Sequence, residues 1–482
     1  MPTAHSLKEL IQNSKYQKLT GETHTVITQI TCDSRQVEPG SLFVAISGTK
    51  QDGHTFIEAA IQKGAAAIVG ERFDIEIPSN LAYVQVKNSR KALAELACAI
   101  YGFPTKDLFT VGVTGTNGKT SITFLTQSVL GIEKTAVSNT VINALQHGID
   151  YTTPGAMDLQ RFAYEALRQE KHNFVIEVSA HALSQDRVHG IDFDLGIFTN
   201  LTQDHFDYYK NFEAYLQAKL QLFQNLRKDS IAIINGDDPF AEAFTHWTPA
   251  RIWKYGLNSQ YDFWAGQIRL SAEGNSFVAH TPVGSIEIQS AMPGEFYVYN
   301  ILAAMAAGVA KNISLQEIKD GIERVKHIEG RFERYKTQNN ISIVIDFAHS
   351  PDSLEKMIHT LKKLYPRVTT VFGCGGESDP YKRSIMGEVS GKFSDYTIIT
   401  NDNPKHEDPS HIIRQIETGI LRTKKPYEAI TDRPKAILRA LALAQPGECV
   451  LIAGKGHERT QIFDRQEIAF NDREFLQQQK II

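Results

Sequence analysis

The chain has 482 residues, more than one hydrophobic core usually organises, so two or three domains are expected. Hydrophobic residues make up 42% and charged residues 22%, the profile of an ordinary globular protein. The 51 Lys and Arg against 55 Asp and Glu give a net charge of −4, which excludes an overall basic field for nucleic acid but permits a local anion site.

The N-terminus, Met1 to Leu10, has no apolar run of the signal-peptide kind. The first hundred residues read as a small α/β unit carrying Asp33-Ser34-Arg35 and Gly40 to Ala45. Asn88-Ser89-Arg90 opens a helix that Gly102-Phe103-Pro104 ends. Short β-branched runs then alternate with helical patterns, the mark of parallel α/β sheets. Expected strands are 110–113, 174–178, 195–199, 231–234, 342–345, 369–372, 396–400 and 449–453, each running into polar or glycine-rich residues at its carboxyl end, where ligands bind in such sheets. The Ala-rich run at 301–310 is too short to span a bilayer, so a cytoplasmic protein without membrane insertion is expected. Cys32, Cys98, Cys374 and Cys449 show no metal-ligand spacing, which argues against a disulfide framework or structural zinc and suits a reducing compartment. The expected division is 1–88, 89–330 and 331–482, with the last boundary at Glu329-Gly330-Arg331.

Thr114-Gly115-Thr116-Asn117-Gly118-Lys119-Thr120 lies between a strand and a helical pattern, as a phosphate cradle requires. Glycines let backbone N–H groups converge on anionic oxygens, the helix start adds its positive dipole, Lys119 pairs with phosphate and Thr120 is placed to hold magnesium. ATP binding is the strongest inference from the residues alone. Glu177 closes a strand as either a structural carboxylate or a metal ligand. His205, just past another strand, reads as either a loop residue or a ligand.

In order and spacing these residues resemble the Mur ligases, and within them the UDP-MurNAc-tripeptide synthetases. The resemblance spans nearly the whole chain: Thr114 to Thr120, Glu177-Val178-Ser179 with His181, Thr199 to His205, Asp346 to Asp352, Gly373 to Gly376, Lys382-Arg383, Asp402-Asn403-Pro404, Gly454 to Glu458, and Asp33-Ser34-Arg35 with Asp52-Gly53-His54. It implies three α/β domains: a small uridine-nucleotide domain, a central P-loop ATPase-type domain with a mostly parallel sheet, and a C-terminal Rossmann-like domain. The activity implied is ATP-dependent ligation of an amino acid to UDP-MurNAc-L-Ala-D-Glu through an acyl phosphate, in peptidoglycan precursor synthesis. ATP would meet Gly115, Thr116, Asn117, Gly118, Lys119, Thr120, Asn300, Arg331 and Asp346. Thr120, Glu177, His205 and a carbamylated Lys219 would serve Mg²⁺, and Lys119, Glu177, His205, Lys219 and His349 the chemistry. The UDP-linked precursor would meet Ser34, Thr152, Thr153, Ser179, Gln185 and Arg187. The amino acid would meet Arg383, Asp402, Asn403, Lys405, Gly454 and Glu458. A monomer without a nucleic-acid partner is expected.

Four departures lie near the substrate. Gly155 follows Thr153-Pro154 where Asp is usual, Ala180 stands within Ser179-Ala180-His181, Glu377-Ser378 replaces Asp-Arg, and Lys405 replaces the arginine of Asp-Asn-Pro-Arg. Arginine offers a planar fork and lysine a point charge, so the last exchange is not conservative. Lys405 still pairs with a carboxylate and repels a second ammonium, which favours meso-diaminopimelate over L-lysine. A specialised relative taking another acid or amine is the alternative, and an ATP-binding protein without turnover is the reading from a different class.

Overall fold

The computed structural model describes residues 4–12, 14–48, 51–203, 208–464 and 466–482. His205 lies outside the described residues. All eight expected strands are present, each within a residue or two of its expected span.

Three sheets organise the described residues. The first has five strands in the order Tyr16–Thr20, Ala82–Val86, Ala67–Gly70, Ser41–Val44 and Gln29–Thr31, parallel except for the first pair. Buried His54 braces its carboxyl edge: Nδ1 donates to Asp52 at 2.7 Å and Nε2 accepts from the Glu71 amide at 2.9 Å, which fixes the tautomer. Helix Ser89–Ile100, capped by Asn88, packs on this sheet and meets helix Ala156–Arg168 of the next unit.

The central sheet has nine strands. Phe109–Thr114 lies between Leu195–Phe198 and Asn173–Glu177, with Thr135–Ser138 at one edge, and every pair among these is parallel. Their side chains are almost wholly buried, because helices cover both faces and leave no solvated side to impose alternation. The chain visits one side of Phe109–Thr114 and then the other, so the turn at Gly115 stands at a topological switch point. Helix Glu295–Ala310, buried nearly all round, packs on helix Lys119–Leu130, which accounts for the Ala-rich run as core. No helix among the described residues is long and apolar enough to cross a membrane. The sheet continues through Ile231–Asn235 and Arg251–Gly256 to Phe263–Ser271, then turns antiparallel through Gly274–Thr281 and Gly284–Ser290. Helix Leu315–Arg324 lies along that last strand: Lys319 donates to the Glu287 carbonyl and the Gln289 amide donates to Glu323, both at 2.7 Å.

The third sheet runs Glu333–Lys336, Ser342–Asp346, Cys449–Ala453, Val368–Phe372, Tyr396–Ile399 and Tyr427–Ala429, parallel but for the first strand. Its carboxyl edge carries Asp346, Gly373, Asn401-Asp402 and Gly454. That edge faces the central domain's glycine turn, and the linker at Glu329 to Phe332 joins the two.

Candidate active site

The turn after Phe109–Thr114 is shaped for close backbone approach. Gly115 has φ +144° and a Cβ there would overlap Thr199 Oγ1; Gly118 has φ +87° and a Cβ there would lie 2.7 Å from Asn300 Oδ1. Neighbouring polar groups hold the loop. The Thr116 amide donates to the Asn200 carbonyl at 2.8 Å, and the Asn117 amide to Asn200 Oδ1 at 3.0 Å. Lys119 opens the helix and donates to the Thr116 carbonyl at 2.7 Å, with Glu177 at 4.0 Å.

Glu177, 2% exposed at the end of its strand, gathers donors instead of sitting as an isolated buried charge. The Thr120 hydroxyl donates to Oε2 at 2.9 Å, as do the Thr140 amide and hydroxyl at 3.1 Å each. Thr120 Oγ1 in turn accepts from Arg331 of the linker at 3.0 Å. Lys219 is 1% exposed on helix Phe212–Gln224; its Nζ donates to the Gly115 carbonyl at 2.6 Å and lies 4.5 Å from the centre of the Tyr215 ring. Thr120, Glu177, Lys119 and Lys219 therefore meet at one turn. Among the described residues no cluster of three His, Cys, Asp or Glu side chains is placed to hold a metal. A hydroxyl and one carboxylate beside the glycine turn are hard oxygen donors of the kind that would hold Mg²⁺.

On the linker side, the Asp346 carboxylate accepts from the Phe332 amide at 2.8 Å and the Ala348 amide at 2.7 Å. Burial nevertheless raises its pKa to about 6, against the opposing pull of Arg331 and the two amides. Arg331 lies over the Phe347 ring, whose other neighbours are His349 and His457. His349 Nδ1 donates to the Phe347 carbonyl at 2.8 Å. Asn117 of the glycine turn donates to Asp352 at the start of helix Pro351–Leu364, at 2.6 Å, so both domains touch through the loop itself.

The residues expected to grip the precursor surround the same strand end. Thr153 donates to the Glu177 carbonyl at 2.8 Å and accepts from the Ser179 amide at 2.9 Å. Arg187 donates to the Thr153 carbonyl at 2.7 Å and to Gln185 Oε1 at 2.7 Å, with Tyr151 stacked against it. The Thr152 and Thr140 hydroxyl oxygens lie 3.2 Å apart. Ser34 stands apart in the first domain, where its carbonyl accepts from Lys63 at 3.0 Å.

In the third domain Asn403 donates to Glu458 at 2.8 Å, and fully buried Lys455 donates to Asn403 Oδ1, Glu458 and the Thr460 carbonyl at 3.0, 2.8 and 2.6 Å. Burial and the nearby Asp402 push the Glu458 carboxyl upward, against Lys455 and Asn403. Gly454, φ +108°, lets Asp402 approach: a Cβ there would lie 2.5 Å from Asp402 Oδ2. Lys405 adopts φ +53°, its amide donating to the Ile462 carbonyl at 2.9 Å. Arg383 is 1% exposed, its fork engaged by both Glu407 oxygens at 2.7 and 2.9 Å and by Gln415 at 2.7 Å. It also donates to the Gly375 carbonyl at 2.9 Å. Asp352, Lys455 and His457 went unassigned from sequence, although each lies inside a quoted motif. Nothing in a lysine three residues before a glutamate distinguishes a buried organiser from a solvated pair.

Models of the Mur ligase family, catalytic domain, the Mur ligase middle domain and the Mur ligase, glutamate ligase domain match residues 26–101, 113–308 and 330–456. Two curated relatives are similar over nearly their full length. Both are UDP-N-acetylmuramoyl-L-alanyl-D-glutamate–2,6-diaminopimelate ligases: one from Syntrophomonas wolfei, 40% identical over 97% of each chain, the other from Geobacillus kaustophilus, 43% identical over 93% of each. A solved structure of a ligase of that name aligns with TM-score 0.68 at 29% identity, covering 99% of this chain and 100% of the other. The MurF ligase from Thermotoga maritima in complex with ADP, 19% identical with TM-score 0.61 over 89% and 94% of the chains, shares the fold. Three Mur ligase domain models matched in order, with relatives 40% and 43% identical over 93% or more of each chain, show that this chain belongs to the Mur ligase family.

Proposed function

We propose that the protein is an ATP-dependent ligase that joins meso-diaminopimelate to UDP-MurNAc-L-Ala-D-Glu through an acyl phosphate, forming ADP and phosphate for peptidoglycan synthesis. One observation carries the reading: Thr120 links the phosphate turn, Glu177 and the linker residue Arg331 through a single hydroxyl, at the seam between the two larger sheets. The likeness to diaminopimelate ligases at 40% identity and above supports the substrate pair.

In this reading the precursor carboxylate, steered by Arg187, Thr152, Thr153, Ser179 and Gln185, attacks the γ-phosphate held by Lys119 and the turn's amides. Ser34 meets the uridine end. Thr120 and Glu177 would hold Mg²⁺, a role the resemblance extends to His205, and the ion would supply charge neutralisation for the phosphates. Lys219 acts as a carbamate: its neutral amine adds to CO₂ and loses a proton, turning a cation into an oxygen ligand. Asn300, Arg331 and Asp346 grip the nucleoside side, and His349 borders the reacting centre. The amine of the amino acid, oriented by Asp402, Gly454 and Glu458, then attacks the acyl carbonyl and phosphate leaves. Lys405 and Asn403 take its distal carboxylate, and Arg383 shapes the pocket toward the α-carboxylate. The functional division is 1–88, 89–330 and 331–482, and the protein works as a cytoplasmic monomer.

Purified protein incubated with ATP, Mg²⁺, UDP-MurNAc-L-Ala-D-Glu and single amino acids tests this by mass spectrometry. Precursor-dependent ADP and a diaminopimelate-containing tripeptide are expected, and Lys119→Ala should cut the rate by about 10²-fold or more. Turnover with L-lysine well above that with meso-diaminopimelate would sink the substrate assignment, and absence of precursor-dependent ADP would sink the ligase.

A further inference from the structure

The last helix, Asp472–Gln478, begins with three consecutive residues that each reach a different part of the site. Asn471, its cap, donates through Nδ2 to the Glu458 carbonyl at 2.9 Å. Asp472 accepts two hydrogen bonds from Arg433, at 2.8 and 2.7 Å, and the same guanidinium donates to the carbonyls of Asn401 and Ala453 at 3.4 and 3.1 Å. Those carbonyls lie just where the loops to Asp402 and Gly454 leave their strands. Arg473 donates to Glu329 at 3.0 Å and lies 3.6 Å from Glu333, the two acids that flank Gly330-Arg331-Phe332. Glu333 itself accepts from the Gly330 amide, and Glu329 also faces Arg459, next to Glu458, at 3.7 Å.

We infer that Asn471, Asp472 and Arg473 form a positioning element that holds the C-terminal loops and the linker bearing Arg331 in one fixed relation. The inference rests on reading those loops as the amino-acid subsite. Asp472 and Arg473 point about 100° apart at the helix start, and Asn471, the cap with an extended backbone, takes a third direction. The Arg433–Asp472 pair is wholly buried on both sides. Such a pair is poor as a source of stability, since apolar residues of the same volume often do as well, but here one guanidinium joins Asp472 to the Asn401 and Ala453 carbonyls. Arg473 extends that order across the domain boundary. Gly330 touches the His457 backbone so closely that a Cβ would overlap its amide, which makes the linker and the Gly454–Glu458 loop neighbours at the point where Arg473 acts. Simple anchoring of the last helix would instead alter stability alone.

The test uses full-length wild type, Arg473→Gln, Arg473→Lys, Glu329→Gln and the Arg473→Gln/Glu329→Gln double variant, both positions being about a quarter exposed. Two readouts are taken: steady-state kinetics with meso-diaminopimelate and ATP, and hydrogen exchange of residues 401–405 and 454–458. Arg473→Gln and Glu329→Gln should each lower kcat/KM for the amino acid about three- to tenfold, mostly through KM. Arg473→Lys should recover part of the loss, and the double variant should fall no further than either single one. Glu329→Gln, although it lies in the linker, should speed exchange at 454–458. Unchanged KM values and unchanged exchange in the loops would overturn the inference while leaving the ligase standing. Faster loop exchange from Glu329→Gln in a protein that forms no amide product would sustain the element and remove the function.

Discussion

The Thr120 hydroxyl gives its proton to Glu177 and accepts from Arg331, so two charged groups from different domains meet at one atom. Asp346 shows the opposite balance. Two amides and Arg331 stabilise its anion, yet burial outweighs them and its pKa stands at about 6. The folded value lies above the ordinary 3.8, so its contribution to stability is full below about pH 3.8 and is lost as pH rises through about 6. A shift of about two units corresponds to about 3 kcal/mol. Urea unfolding of wild type and Asp346→Asn from pH 4 to 7 should show the wild type losing ground by up to that amount as pH rises. A difference between the two that stays flat with pH would contradict the assigned cause. His457, by contrast, is pushed down to about 3 by burial and by the neighbouring Arg331, His349 and Lys455, and it stays neutral throughout that range.

At the scale of elements, strand ends were legible where the pattern had a single cause. Phe109–Thr114, Asn173–Glu177 and Cys449–Ala453 are buried on both faces, so runs of β-branched residues reveal them. Phe263–Ser271 and Gly284–Ser290 are not legible in the sequence, because they leave one side exposed and carry glycine, glutamine and charge among the apolar positions. The glycine turn was readable from spacing alone. The hydrogen bond from Asn117 to Asp352 was not, since it joins residues 235 positions apart. Lys405 shows in the sequence as a change of side-chain chemistry, and its left-handed backbone has no sequence signal. Gly330 combines φ +69° with a backbone neighbour that leaves no room for a methyl group. Gly330→Ala should therefore destabilise the protein by on the order of 3 kcal/mol and raise KM for the amino acid, as measured by denaturation and steady-state rates. A variant matching wild type in both would mean the linker relaxes freely.

Across the whole molecule, the Asn117–Asp352 hydrogen bond ties the nucleotide loop to the third domain. A hydrogen bond to a charged group contributes about 1.5–3 kcal/mol. Asp352→Ala should raise KM for ATP roughly tenfold, with Asp352→Asn milder because an amide oxygen still accepts. Equal ATP KM values for wild type and Asp352→Ala would exclude a role for this contact in holding the domains together. The far border of the central sheet has a different consequence. Gly284–Ser290 ends an open sheet, and such a border ordinarily recruits a stranger's strand. Here Lys319 and Glu323 already occupy backbone groups along it, one a carbonyl and one an amide. A crowded cell offers many chains in search of such a template, and this one presents side chains where the template would begin.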